Sequence, residues 1–211
     1  MMQITFEHFC SARLNNFCLD FTMGSCSVVY DPTELLSTVM LSALVGLEEM
    51  HSGKLLLDGI SYDDYFADRQ LLSCFGYVFD EGIMLANLTF RENLLLPWRK
   101  RFEGESEKHF DQELKAWMTH LELKIDPNLR PAFASPTQRK FMGFIRAVLL
   151  KPEYLLIDDP YYLLNKTERH RLFGFLTELR QTQKMLIGSA DDDFTGSIAS
   201  EVIDLSSFCP A

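Results

Sequence analysis

The chain has 211 residues, 47% of them hydrophobic, with 30 acidic against 20 basic side chains and a formal charge of -10. That much apolar chain can bury a full core as one globular unit without disulfides, and the acidic balance disfavours nucleic acid or anionic lipid as a direct partner. No apolar run approaches the roughly 20 residues that span a bilayer, and the N-terminal MMQITFEHF lacks the basic-then-apolar order of a signal peptide, so a cytoplasmic protein is expected.

The first thirty residues alternate apolar and polar in ITFEHF, FCLDF and SCSVVY, which predicts short strands separated by turns at Arg13–Asn16 and Met23–Gly24. After the turn Asp31-Pro32-Thr33, residues 34–46 carry apolar side chains at helical spacing and close on Gly46. LLLDG at 55–59 reads as a strand ending in an Asp-Gly turn, and CFGYVFD at 74–80 as a buried strand. Residues 91–101 and 106–121 read as amphipathic helices, the second opening on Ser106 with an acidic first turn. A helix over 138–150, the strand YLLID, a helix over 167–180, the strand MLIGS and a last strand EVIDL complete the chain. Strands alternating with helices imply a parallel sheet with any ligand at the strands' carboxyl ends. The five cysteines and five histidines show no metal-ligand spacing and are read as ordinary buried or surface side chains.

Five strings stand out: SALVGLEEMHSGKLLLDG at 42–59, GYVFDEGIMLANLTFRENL at 76–94, SPTQRKFMGFIRAVLLKPEYLLIDDP at 135–160, YYLLN at 161–165 and IGSADDD at 187–193. In this order and at these distances they resemble the ATP-binding cassette (ABC) transporter ATPase family. There they correspond to the stretch after the phosphate loop, the Q-loop, the signature helix running into the Walker B strand, the D-loop and the switch-histidine region. The resemblance implies an α/β fold with a P-loop NTPase-like (RecA-like) core, an N-terminal antiparallel β region and an inserted α-helical subdomain. It is read as one domain over 1–211, with 1–84 and 146–211 as the core and 85–145 as the insertion carrying the signature.

The resemblance also implies ATP and magnesium as cofactors, and here the residues depart from it. A phosphate loop needs glycines that free backbone N–H groups, a lysine for the phosphate charge and a hydroxyl for magnesium. In DPTELLST the register places Leu36 at the last glycine, Ser37 at the lysine and Thr38 at the magnesium hydroxyl, so only Thr38 is retained; one residue off, Ser37 is the hydroxyl and Leu36 stands at the lysine, so neither register supplies the cation. Glu34 at the helix start repels a triphosphate and is expected to fill the anion site from within. The adenine-stacking aromatic falls near Arg13 or Leu14 and is missing. Asp158 stands at the magnesium-orienting Walker B acid. Asp159 replaces the family's glutamate one methylene short, and a misplacement of about 1 Å can cost roughly 100-fold in rate. Asp80 stands for the Q-loop glutamine, and Ala190, which donates no hydrogen bond, for the switch histidine. The signature keeps Ser135 and Gln138 but has Pro136 and Thr137 in place of glycines. Bound ATP with magnesium, or no ligand at all, are both open at this point.

The resemblance further implies two partners, a transmembrane permease subunit and a second ABC ATPase subunit, and a place on the inner face of the membrane through the permease. The strip 82–98 keeps its likeness, with Met84, Leu85, Phe90, Leu94 and Trp98 as candidate contacts and Arg91 and Glu92 as a polar rim. The leading expectation is a catalytically degenerate subunit serving as structural or regulatory half of a transporter motor. A divergent but active ATPase using Thr38, Asp158 and Asp159 is one alternative, and an interaction scaffold outside transport is another.

Overall fold

The computed structural model describes residues 1–208. The early alternation becomes β1 (Met2–Cys10) and β2 (Phe17–Met23), antiparallel with Ile4 opposite Phe21. β3 (Cys26–Tyr30) and α1 (Leu35–Leu44) follow, and then β4 (Ser52–Leu57) pairs with the free side of β1, with Phe6 opposite Leu55. The Asp58-Gly59 turn returns the chain as β5 (Ile60–Ser61), which closes a four-stranded antiparallel sheet of order β2-β1-β4-β5. Two short helices without a periodic signal, α2 (Tyr62–Ala67) and α3 (Leu71–Cys74), lead into β6 (Phe75–Val78).

Three longer helices come next: α4 (Phe90–Arg101), α5 (Glu107–His120) and α6 (Pro136–Leu149), with a 3-10 turn Pro131–Phe133 before the last. Their starts are set by side chains that satisfy orphan N–H groups. Thr89 and Glu92 form a reciprocal capping box on α4, and the Ser106 hydroxyl accepts the His109 N–H on α5. β7 (Tyr154–Asp158), α7 (Lys166–Leu179), β8 (Lys184–Ser189), α8 (Asp192–Ile198) and β9 (Glu201–Asp204) finish the chain. The five strands β6-β7-β8-β3-β9 form one parallel sheet, as the strand-helix alternation predicts.

Period-two alternation splits that sheet between two cores. Tyr154 and Leu156 of β7 face the cluster shared with α1 and the antiparallel sheet, while Leu155 and Ile157 face the cluster built by α4 to α7. α1 is apolar nearly all round and lies buried between the two sheets. It approaches β8 at Gly188, where an added Cβ would lie 3.0 Å from that of Ser37. Cys10, Cys18, Cys26 and Cys74 are free thiols, and Cys209 lies outside the described residues. No helix among the described residues is long and apolar enough to cross a membrane.

Candidate functional site

The carboxyl ends of β3, β6, β7 and β8 converge on one crevice, as parallel sheets dictate. Its floor is the 31–38 junction between β3 and α1. The first turn of α1 has orphan N–H groups, and Glu34, at the N-cap, makes no side-chain cap. Asp31 does it instead. Its carboxylate is fully buried and accepts the Ser37 N–H at 3.0 Å, the Thr33 N–H at 2.9 Å and the Thr33 hydroxyl at 2.7 Å. The internal anion expected from Glu34 is therefore supplied by Asp31, because Glu34 is exposed and turns outward. Burial, then Asp159, Asp31 and Asp80, push the Glu34 carboxyl above its ordinary range.

Glu34 has φ 62°, a left-handed conformation that costs an L-residue roughly 1–2 kcal/mol. Glycine adopts it freely but loses more entropy on folding. Glu34→Gly is therefore expected to stabilise the protein by about 0.5–1 kcal/mol in urea unfolding; a loss of stability would show that the backbone here is unstrained. Ser37, at the lysine position, is buried, and its hydroxyl donates to the Glu34 carbonyl at 3.3 Å.

At the end of β7 both oxygens of Asp158 are engaged. Thr38 Oγ1 donates to one at 2.9 Å and the Tyr77 hydroxyl to the other at 3.1 Å, while burial pushes the acid up to about 6. The sequence thus brings Thr38 and Asp158 together across 120 residues, as their motif positions imply. Asp159, also raised by burial, sits at φ 29° and accepts the Tyr161 N–H at 3.3 Å. Asp80, whose Oδ1 accepts the Glu81 N–H at 2.7 Å, adds its charge to the group, since its field raises Asp158, Asp159 and Glu34. Among the described residues, no three His, Cys, Asp or Glu side chains gather as a metal-ligand set.

Ser135 and Gln138 bond to each other's backbone. Ser135 Oγ accepts the Gln138 N–H at 3.1 Å, and Gln138 Oε1 accepts the Ser135 N–H at 2.9 Å. With Pro136 at the first helical position, this is a capping box for α6. Ser-x-x-Gln before an apolar run is a sequence signal for it. Ala190 follows β8, and the next residue, Asp191, caps α8 through the Phe194 N–H. Arg13, near the expected stacking position, is paired with Glu48.

Residues 37–162, more than half of the chain, match the family model described as ABC transporter. The chain belongs to the ABC transporter family. It is 26% identical over 193 residues to the glutamine transport ATP-binding protein GlnQ of Escherichia coli (strain K12), covering 90% of this chain and 80% of that protein. It is 28% identical over 171 residues to the sulfate/thiosulfate import ATP-binding protein CysA of Burkholderia mallei, covering 80% of this chain but only 48% of the relative. With the molybdenum import ATP-binding protein ModC of Rhodobacter capsulatus the figures are 29% over 189 residues, 83% and 49%, so the chain spans about half the length of these two. The fold matches the dimeric structure of the ATP-binding cassette MJ0796 in a post-hydrolysis state bound to ADP and Pi, with TM-score 0.79 at 20% identity over 96% of this chain and 94% of that one.

The strip 82–98 of the cassette splits. Phe90, Leu94 and Trp98 are at most 1% exposed and pack inside the helical cluster, so these three expected contacts are internal. They fall on the inner face of α4 because 90, 94 and 98 are spaced four apart. Met84 is half-buried against the same cluster, and Arg91 turns to α5, pairing with Asp111 at 2.7 Å and Glu107 at 2.9 Å. Glu92 belongs to the α4 cap. Leu85 is exposed, and with Leu47 and Leu96 it rims a groove of ≈ 300 Å³ between the core and α4, floored by Phe75, Tyr77 and Phe79. Leu47 and Leu96 lie within the strings at 42–59 and 82–98, but nothing in their spacing marks them as exposed.

Proposed function

We propose that this cassette is a catalytically degenerate subunit that docks on a transmembrane permease from the cytoplasmic side. In that complex it pairs with a second, nucleotide-competent ABC subunit as the structural or regulatory half of the motor. The observation that carries this reading is the Asp31 carboxylate on the Ser37 N–H. A nucleotide phosphate competes with a built-in anion for the donors at the start of α1, and DPTELLST holds no lysine or arginine to offset the charge. Magnesium fares no better, since Thr38 and Tyr77 each take one acceptor site on Asp158 and burial pushes that acid toward its neutral form. The residues of the crevice do not fit a magnesium-nucleotide complex.

Calorimetry of the purified protein with magnesium-ATP, ADP and a magnesium-free control is expected to give no binding up to millimolar nucleotide. Micromolar, magnesium-dependent binding overturns this reading in favour of a working ATPase using Thr38, Asp158 and Asp159. Docking rests on the groove rimmed by Leu47, Leu85 and Leu96, each more than half exposed. The double variant Leu85→Glu, Leu96→Glu is expected to leave the membrane fraction of its own cells, with stability unchanged to within about 0.5 kcal/mol. A wild-type chain that never fractionates with membranes points to an interaction scaffold outside transport.

A further inference from the structure

Lys140 is the most deeply buried cation among the described residues, at 1% exposure on α6. An ammonium is removed from water only where acceptors replace the lost hydration. Here two backbone carbonyls do so: Nζ donates to Asp159 O at 2.6 Å and to Tyr162 O at 2.9 Å. Among the described residues no carboxylate oxygen lies within 4.0 Å of it, so Asp80, Asp158 and Asp159 act on its charge through space rather than by contact. The two carbonyls belong to the turn after β7, a strained segment with Asp159 at φ 29° and Leu163 at φ 62°. The bonds within that turn are long, Tyr162 N–H to Asp159 O and Leu164 N–H to Tyr161 O at 3.2 Å and Tyr161 N–H to Asp159 Oδ1 at 3.3 Å.

α6 is held on its other flank as well. Gly82, at φ +65°, presses so closely on the backbone of Arg139 and Lys140 that an added Cβ would lie 2.5 Å from it. One turn and a half further on, the Arg146 guanidinium donates to Ile83 O at 2.9 Å. The loop after β6 and the turn after β7 are thus both fastened to one helix.

We propose that Lys140 is a positioning residue, an internal cation that clamps α6 to the turn after β7 and holds the helical segment on the sheet in one arrangement with no nucleotide present. The clamp rests on the reading of the site as one that holds no nucleotide. It puts a resident ammonium beside the acids and a permanent tie between β7 and α6, so the groove beside α4 keeps its shape without ligand.

The test is hydrogen exchange of the full chain, without nucleotide, for wild type, Lys140→Met and Lys140→Arg. Methionine keeps the bulk and removes the charge and donors, whereas arginine keeps both. Exchange of the Tyr162 and Leu164 amides is expected to rise at least tenfold in Lys140→Met, with β7 and β8 within twofold of wild type, and arginine is expected to restore protection. Unchanged protection at the turn in Lys140→Met overturns the proposal. So does equal acceleration through β7 and β8, which marks a general loss of stability. If the methionine variant does not fold, Lys140→Gln is measured against the same criteria. Nucleotide binding by the wild type would sink the proposed function, while an unaltered turn in the variants would sink only the clamp.

Discussion

Asp31→Ala is expected to destabilise the cassette by about 3 kcal/mol in denaturant unfolding, more than any other single change in the 31–38 junction. Three donors converge on that carboxylate, two of them backbone N–H groups with no other acceptor in the junction. A hydrogen bond to a charged group contributes about 1.5–3 kcal/mol, and an orphaned buried donor costs about 1–3 kcal/mol. Truncation loses the first and incurs the second at the Ser37 N–H, while Thr33 reaches water. Asp31→Asn is expected to cost about half as much, roughly 1.5 kcal/mol, because an amide oxygen satisfies one side and its NH₂ opposes a donor on the other. A loss below about 0.5 kcal/mol for the alanine variant would mean that Asp31 does not organise the junction, and the case for an internal anion would go with it.

The second large effect has the opposite sign. Asp158→Asn is expected to stabilise the protein by about 2–3 kcal/mol at pH 7.5 and by nothing near pH 4. Burial raises the folded-state acid from 3.8 to about 6, so the folded state binds the proton more tightly than the unfolded chain. The stability this brings is whole below pH 4 and is lost as pH rises through 6. A difference of roughly two units at about 1.4 kcal/mol each sets the ceiling. Asparagine is isosteric and neutral: Oδ1 can still accept from Thr38, and Nδ2 can donate to a Tyr77 hydroxyl turned to accept. Urea unfolding of both proteins at pH 4, 5.5 and 7.5 reads the effect. A variant less stable than wild type at pH 7.5 would show that the ionised acid is held by favourable partners, as a metal-ready carboxylate is.

Together these two substitutions separate a retired site from a working one. In a site kept for magnesium-nucleotide, the Walker B acid is balanced by the ligand and its removal weakens the loaded protein, whereas the loop's donors wait for phosphate. Here the acid is expected to cost stability, and the Thr33 and Ser37 N–H groups are taken by Asp31. Ser135 and Gln138 form the capping box that starts α6.

The order of strands and helices, and with it the cassette fold, was determined by the sequence itself. Period-two runs such as YLLID and helical spacing such as that of 138–150 are local properties, legible wherever burial is one-sided or complete. The absence of lysine and arginine from DPTELLST and the motif spacing that links Thr38 to Asp158 were legible for the same reason, since both are read directly along the chain. Only the tertiary structure decided which acid plays the anion. Asp31 and Glu34 are equally acidic in sequence, and the left-handed turn at Glu34 sends one side chain inward and the other out. It also decided which strip residues face a partner, because α4 buries Phe90, Leu94 and Trp98 against helices that a linear motif cannot place. Lys140 stood in plain view, four residues before Phe144 on the buried face of α6. Its role depended on two carbonyls about twenty positions away, brought within reach only when the parallel sheet set the turn after β7 beside that helix.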